Sequence, residues 1–308
     1  MVRTKILITG ANGLLGQSLL HVNNGRFDIC ATAKRDSVFD SNRILFKAMD
    51  ILNPDEIEII FSDFKPDVVI HGAAFTNVDK CEANPSYCNK INVDGTQNVI
   101  EACEKHSSHL IFISTDFIFD GKTGSYSETA EENPLSVYGK SKFDAEKLIQ
   151  SSNCKWSIAR TSLVIGYFPD LMNSNIILWA RKKLAKGDKI NVVDDQVRTP
   201  TWSLDLAEGC LLLVKNKSFG IYNISGSDKF SIIELVRQVA IHGDFDLSLI
   251  DRVDSQTLGQ LAMRPLISDL DISKAKKLIG YNPMNPIETG YIKYIAWYKK
   301  FWENLNRD

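Results

Sequence analysis

A glycine-spaced turn near the start of the chain constrains the fold more than any other feature. Lys5–Thr9 (KILIT) reads as a buried strand, followed by Gly10-Ala-Asn-Gly13-Leu-Leu-Gly16 and an apolar helix start through Leu19 and Leu20. Strand, glycine turn and helix in that order are the context a dinucleotide-binding loop requires. Gly10 makes the tight turn, Gly13 lets the backbone approach a pyrophosphate, and Gly16 lets helix and strand pack closely. The helix start offers unpaired N–H groups and the positive end of its dipole to the phosphates. Asn12, Leu14 and Leu15 share this loop and join the three glycines as expected cofactor contacts. The spacing alone also fits a plain glycine-rich turn between a strand and a helix.

The following segments keep the alternation of strand and helix. A strand over 27–33 ends in Lys34-Arg35-Asp36. An acidic side chain at this strand end holds the ribose 2′-OH of NAD, whereas a basic one accommodates the 2′-phosphate of NADP. Lys34 and Arg35 therefore favour NADP, and Asp36 directly after them keeps NAD open. A third strand ends near Met49-Asp50-Ile51, with Asp50 placed to meet the adenine side of a cofactor. Asn53-Pro54 then supplies a helix cap and an N1 proline. The strand over 66–71 runs into Gly72-Ala73-Ala74, small residues where a ligand must pass close to the backbone. In the helix that follows, Asn92 is polar within an amphipathic pattern: either it has a backbone or water partner near the site, or it is exposed.

The segment 111–147 carries the chemistry. An apolar run, Ile111-Phe-Ile113, ends in Ser114, Thr115 and Asp116, and Tyr138-Gly-Lys-Ser-Lys142 comes later. Positions i and i+4 of a helix share a face, so Tyr138 and Lys142 point at one ligand. A free phenol has a pKa of about 10, which a nearby ammonium and a positive nicotinamide ring lower. Tyr138 then exchanges a proton with a carbonyl or an alcohol. The spacing by itself also fits a surface helix with an incidental Tyr and Lys.

Beyond Arg160-Thr161-Ser162 the rhythm loosens. A helix over 176–186, a loop over 194–201, a helix over 205–215 and a strand over 221–225 lead back towards the sheet. The expected architecture is α/β: a doubly wound parallel sheet of Rossmann type with a smaller C-terminal substrate lobe. Residues 1–165, joined by 203–226, form the NAD(P)-binding domain; 166–202 and 227–308 form the substrate-binding lobe. The cleft between them is the expected ligand site.

At 308 residues, 44% hydrophobic and 24% charged, the chain has the composition of an ordinary globular protein. Its net charge of -2 argues against nucleic-acid binding through phosphate contacts. No run of about 20 apolar residues is present to span a membrane. The N-terminus enters a strand directly, and the six cysteines form no CxxC pair, which points to reduced thiols and a cytoplasmic protein without a metal site.

The stretches ITGANGLLG, HGAAFTNVDKCE, INVDGTQNVIEAC, ISTDFIFDGKTGSYSE, NPLSVYGKSKFDAE, RTS, DDQVRTPTWSLDLA and RPLISDLDISKAKKLIGY cover almost the whole chain. Together they resemble the extended short-chain dehydrogenase/reductase family and, within it, the dTDP-4-dehydrorhamnose reductases. The resemblance implies an NAD(P)H-dependent reductase of a nucleotide-linked 4-keto-6-deoxy sugar, with a homodimer left open. It implies Thr115, Tyr138 and Lys142 as the catalytic set. Tyr138 protonates the C4 ketone oxygen as hydride arrives, Lys142 binds the nicotinamide ribose and lowers the tyrosine pKa, and Thr115 orients the carbonyl. Asp50, Ile51, Ala73 and Ala74 line the cofactor. Thr76, Asn77, Thr115, Gln196, Arg198 and Arg264 are expected to meet the sugar and diphosphate.

Dehydratases of the family carry an acidic pair after the threonine, whereas here Phe117 follows Asp116. Two positions depart from the reductases: Leu163 stands where a tryptophan often packs on the sugar, and Ser18 where some members use a glutamate to bind magnesium at a dimer interface. No metal is expected. The pattern also resembles the regulatory β subunit of methionine adenosyltransferase, which acts by binding a partner. An epimerase that recycles its NAD is a third reading.

Overall fold

Short apolar runs with hydrophobic side chains on both faces become the buried strands of one parallel sheet. The structure, a computed structural model, describes residues 3–39, 44–168, 171, 175–284, 286–293 and 296. The end of the expected C-terminal lobe, 297–308, lies outside the described residues. In chain order come β1 (Lys5–Thr9), α1 (Leu14–Asn23), β2 (Asp28–Ala33), β3 (Leu45–Ala48), α2 (Pro54–Phe64) and β4 (Val68–His71). Three consecutive helices follow, α3 (Val78–Ala83), α4 (Pro85–Asn89) and α5 (Gly95–His106), then β5 (His109–Thr115), α6 (Val137–Ser151) and β6 (Trp156–Thr161). After β7 (Val164–Ile165), α7 (Ile176–Leu184), β8 (Ile190–Val193), β9 (Val197–Arg198), β10 (Thr201–Trp202) and α8 (Ser203–Lys215), β11 (Gly220–Asn223) pairs with β6 and rejoins the sheet.

The sheet order is β11-β6-β5-β4-β1-β2-β3, with every pair parallel. The order reverses between β1 and β4, and the crevice at the carboxyl ends of these strands is where such sheets bind ligands. Side chains alternate along each strand. Ile6, Ile8, Ile70 and Ile111 pack with α8 residues such as Leu206 and Leu211 on one face. Leu7, Val69, Leu110 and Phe112 pack with Phe61, Val99 and Ile149 on the other. α2 starts as the sequence suggests: Pro54 is its first residue, and the Asn53 side chain accepts from Asp55 N and Glu56 N.

The remaining elements are β12 (Phe230–Ser231), α9 (Ile232–Gly243), β13 (Ile250–Val253), α10 (Ser255–Leu258) and α11 (Ser273–Ile279). α7, β8, α9 and β13 share a second core built from Ile177, Leu184, Val192, Val236 and Ile250. The stretch expected as a loop over 194–201 instead contains β9, paired antiparallel with β12, and the start of β10, paired with β7. These ladders are two residues long, too short to show as a hydrophobic period. The six cysteines are free. No helix among the described residues is long and apolar enough to cross a membrane.

Candidate active site

The glycine turn packs as tightly as its spacing implies. Gly10 has φ 75°, and a Cβ there would lie 2.8 Å from the Ala73 nitrogen. A Cβ on Gly16 would lie 2.4 Å from Ala11 Cα. Gly13 caps α1 without a side chain, leaving the first N–H groups of the helix to a ligand. From this turn a cavity of about 1260 Å³ extends across the sheet ends. Gly10, Gly13, Leu14, Leu15, Gly16, Lys34, Asp50, Ile51, Ala73 and Ala74 line it, as do Thr76, Asn77, Thr115, Tyr138, Lys142, Gln196, Arg198 and Arg264.

Asn12 and Arg35 are not among the lining residues. The Asn12 amide instead donates to Arg35 O at 3.4 Å and Asp36 O at 2.9 Å, tying the glycine turn to the end of β2. Lys34 Nζ lies 2.7 Å from Asp50 Oδ2. Burial works to raise the Asp50 carboxyl, but the Lys34 hydrogen bond and the Leu52 N–H outweigh it and hold the group below its usual range.

Ser136 caps α6, accepting from Gly139 N at 3.1 Å, and sets Tyr138 and Lys142 one turn apart beside the end of β5. The Phe117 ring meets Tyr138 edge-on at 5.7 Å. Lys142 Nζ lies 3.8 Å from the Phe112 ring centroid, and its ammonium makes no hydrogen bond to a described residue. The buried Ser114 hydroxyl, also at the cavity, has no partner either. A ribose with its hydroxyls suits both groups, and the pinched glycine turn suits a pyrophosphate.

Burial pushes the Tyr138 phenol above its ordinary value, with the Thr115 hydroxyl pulling the other way. Burial also pushes Lys142 down, to about 7, against the attraction of Glu146. Withdrawal from water is the largest influence on both groups.

Asp116 ties the site to Ser162, Arg198 and Ser268. Its carboxylate accepts from Thr115 Oγ1 at 3.2 Å, from Ser162 Oγ at 3.0 Å and from the Ser268 hydroxyl, with Arg198 Nε 3.6 Å away. The other Arg198 donors go to Val197 O, Leu266 O, Pro265 O and Gln196 Oε1. Gln196 donates to Ser255 Oγ at 2.7 Å and Gln260 Oε1 at 2.9 Å. Arg264 forks onto Asp79, and Asn77 caps α3 by accepting from Lys80 N at 2.9 Å. Most of the residues expected to meet substrate are therefore bonded within the walls of the cavity, and their faces rather than free charges line it.

Asn92 is buried, in a π-helical turn (Lys90–Asp94) that joins α4 to α5. It accepts from Phe75 N at 2.7 Å and donates to Phe75 O and Ser141 Oγ, holding the chain beyond β4 against α6. This is the partnered reading of the two; π turns of this kind gather at functional sites. Ser18 is buried between α1 and α8, donating to Ser203 Oγ at 2.8 Å. Leu163 lines the cavity with φ 39°, a left-handed conformation rare for its residue type. Trp179 and Asn175 also line the cavity. Nothing local in the sequence marks them, since Trp179 fits the apolar pattern of α7.

His71, under Lys142, bonds Thr9 Oγ1 at 2.7 Å and Thr96 Oγ1 at 3.1 Å. Burial, helped by the Lys142 charge, lowers it to about 3, and burial lowers His109 to about 4. A histidine of depressed folded pKa binds fewer protons folded than unfolded, so stability falls as pH drops below about 6.5. The loss continues to about 4 for His109 and about 3 for His71. Urea midpoints should fall through this window, and His71→Gln should flatten the slope. An unchanged slope in the variant would remove His71 from the cause.

The comparisons with known proteins agree with this geometry. A dTDP-4-dehydrorhamnose reductase from Aggregatibacter actinomycetemcomitans is 34% identical over 294 residues, covering 91% of this chain and 94% of that protein. Methionine adenosyltransferase 2 subunit beta from Pongo abelii is 29% identical over 302 residues, covering 95% and 87%. A crystal structure of a dTDP-4-dehydrorhamnose reductase from Bacillus anthracis str. Ames in complex with NADP superposes with a TM-score of 0.83 at 27% identity, covering 95% of this chain and 100% of that one. With the RmlD substrate binding domain matching residues 4–290, the chain belongs to the dTDP-4-dehydrorhamnose reductase family of extended short-chain dehydrogenases/reductases.

Proposed function

We propose that the chain is a cytoplasmic, NADP(H)-preferring reductase of a nucleotide-linked 4-keto-6-deoxy sugar. The observation that carries this reading is the opening of Thr115, Tyr138 and Lys142 onto the same cavity as the glycine turn. Gly10, Gly13 and Gly16 would hold the pyrophosphate, and Lys142 with Ser114 the nicotinamide ribose. Lys34 would meet the 2′-phosphate, while Asp36 beside it leaves NAD open. The reduced nicotinamide would supply the hydride. Tyr138 gives its proton to the C4 oxygen as that carbon gains hydride, so the ketone becomes an alcohol. A phenol held neutral by burial is the form an acid needs, which suits reduction. Lys142 stabilises the phenolate left behind, and Thr115 orients the carbonyl. Thr76, Asn77, Gln196, Arg198 and Arg264 form the walls around sugar and diphosphate.

A second reading, a cofactor-binding regulatory subunit, is favoured by one observation. Arg198 and Arg264, the cations on the substrate side, are already paired with Asp116 and Asp79. The test is oxidation of NADPH and of NADH in the presence of dTDP-4-dehydrorhamnose. Turnover, faster with NADPH, is expected. Intact nucleotide binding without turnover, together with a stoichiometric protein partner in a pull-down, would support the regulatory reading instead.

A further inference from the structure

Asp79 lies in the first turn of α3, directly after Asn77 and Val78, and lines the cavity. Its carboxylate accepts three hydrogen bonds from one stretch of the opposite wall. Ala262 N donates to Oδ1 at 3.1 Å, Arg264 Nη1 to Oδ1 at 3.1 Å and Arg264 Nη2 to Oδ2 at 2.7 Å. This is the fork-on-fork arrangement in which arginine and carboxylate bind with directional preference. Arg264 Nη1 also donates to Ala262 O at 3.0 Å, which stiffens the stretch internally. The Arg264 hydrogen bond, against burial, keeps the Asp79 carboxyl below its usual range, so it is ionised at neutral pH.

The stretch runs as a strap from Gly259, which ends α10 at φ 64°, to Pro265. The C-terminal lobe anchors it at both ends. Ser255, before it, bonds Asp195 through N at 3.0 Å and Oγ at 2.7 Å, and Gln260 accepts from Gln196. Pro265 O accepts from Arg198 Nη2 at 2.6 Å. Between these anchors, the hydrogen bonds that residues 261–264 make to the dinucleotide-binding half all end on Asp79 among the described residues. Leu261 and Met263 are 62% and 66% exposed, so apolar burial contributes little to seating the strap. Leu258, Gln260 and Arg264 line the cavity.

We infer that Asp79 is a positioning residue for sugar-nucleotide binding, holding the strap in place as a wall of the substrate side through Ala262 N and the Arg264 guanidinium. The inference rests on the reductase reading of the cavity. Without the carboxylate, Arg264 loses its fork and residues 261–264 keep no hydrogen bond to the dinucleotide-binding half, whose next hold on the strap is the packing of Gly121 against Pro265. The glycine turn and Tyr138 keep their places, so cofactor binding and the chemical step are spared.

The test uses the full chain with Asp79→Ala, Asp79→Glu and Arg264→Lys, and two readouts. Hydrogen exchange needs no substrate: amides of 261–264 should exchange about tenfold faster in Asp79→Ala, and less so in Arg264→Lys, which keeps the charge but loses the fork. In turnover, KM for the sugar nucleotide should rise about tenfold while kcat and NADPH affinity stay within about twofold, with partial recovery in Asp79→Glu. Unchanged exchange in Asp79→Ala overturns the clasp. Faster exchange with unchanged KM, or a loss confined to kcat, overturns the positioning role. If the wild type turns over no 4-keto sugar, the reductase reading fails. Calorimetric affinity for dTDP then takes the place of KM: an affinity that drops with the faster exchange sustains the inference, and one that does not overturns it.

Discussion

Replacing Tyr138 with Phe should lower turnover by about two to four orders of magnitude, the usual weight of a general acid, while NADPH binds within about twofold of wild type. The ring itself is held by packing: it is half-buried in the first turn of α6, edge-on to Phe117, and the change removes one oxygen from that setting. What disappears is the proton for the ketone oxygen. Because burial raises the phenol and lowers Lys142 to about 7, the wild-type acid should stay protonated across the neutral range while the lysine charge fades above about 7. The rate of ketone reduction should therefore fall on the alkaline side earlier than the pKa of a free phenol would suggest. Stopped-flow absorbance of NADPH with the keto sugar separates the two effects. Wild-type rates in Tyr138→Phe would sink the assignment, and weakened NADPH binding in the variant would mean that the phenol holds cofactor rather than moving a proton.

The features legible in the sequence are those carried by neighbours along the chain. Gly10, Gly13 and Gly16 announce the turn because its left-handed φ at Gly10 and the close local backbone at Gly13 and Gly16 call for glycine, and the strands show as apolar runs because the sheet is covered on both faces. Tyr138 and Lys142 are legible because helical spacing sets them on one face. The partners of the charged groups were hidden, since they come from distant elements. Lys34 at the end of β2 looks like a free cation until Asp50, beyond β3, pairs with it. Arg198 and Arg264 look like diphosphate ligands until Asp116 and Asp79 fold onto them. Asp116 itself follows the catalytic threonine, yet its role depends on Ser162, brought near by the pairing of β5 with β6, and on Ser268, far along the chain. Leu163 gives no sign in sequence of its left-handed backbone, because leucine has no preference for it.

Arg160→Met should cost about 3–5 kcal/mol of folding stability, because it strands a buried carboxylate. Arg160 opens the RTS stretch beside the site, but its guanidinium points into the fold and is fully buried. Nε donates to Glu146 Oε1 at 3.1 Å, Nη2 to Glu146 Oε2 and Glu132 Oε1 at 2.7 Å each, and Nη1 to Glu128 O at 3.3 Å. Glu146 is as buried as the arginine, whereas Glu132 retains 20% exposure and can turn to water. Removing the cation alone leaves the Glu146 charge uncompensated; removing both as Arg160→Met with Glu146→Leu removes the stranded charge as well. The double variant should therefore be more stable than the single one, an order that simple loss of contacts would reverse. Urea unfolding of the three proteins decides it, and a single variant within about 1 kcal/mol of wild type would mean that the network contributes no more than a surface pair. Activity should part from stability, because Glu146 lies one helical turn beyond Lys142 on α6 and favours its ammonium, so the double variant should be the less active of the two although the more stable. The arginine thus supports the catalytic helix from behind: it fixes the carboxylate that helps keep Lys142 charged, without entering the cavity itself.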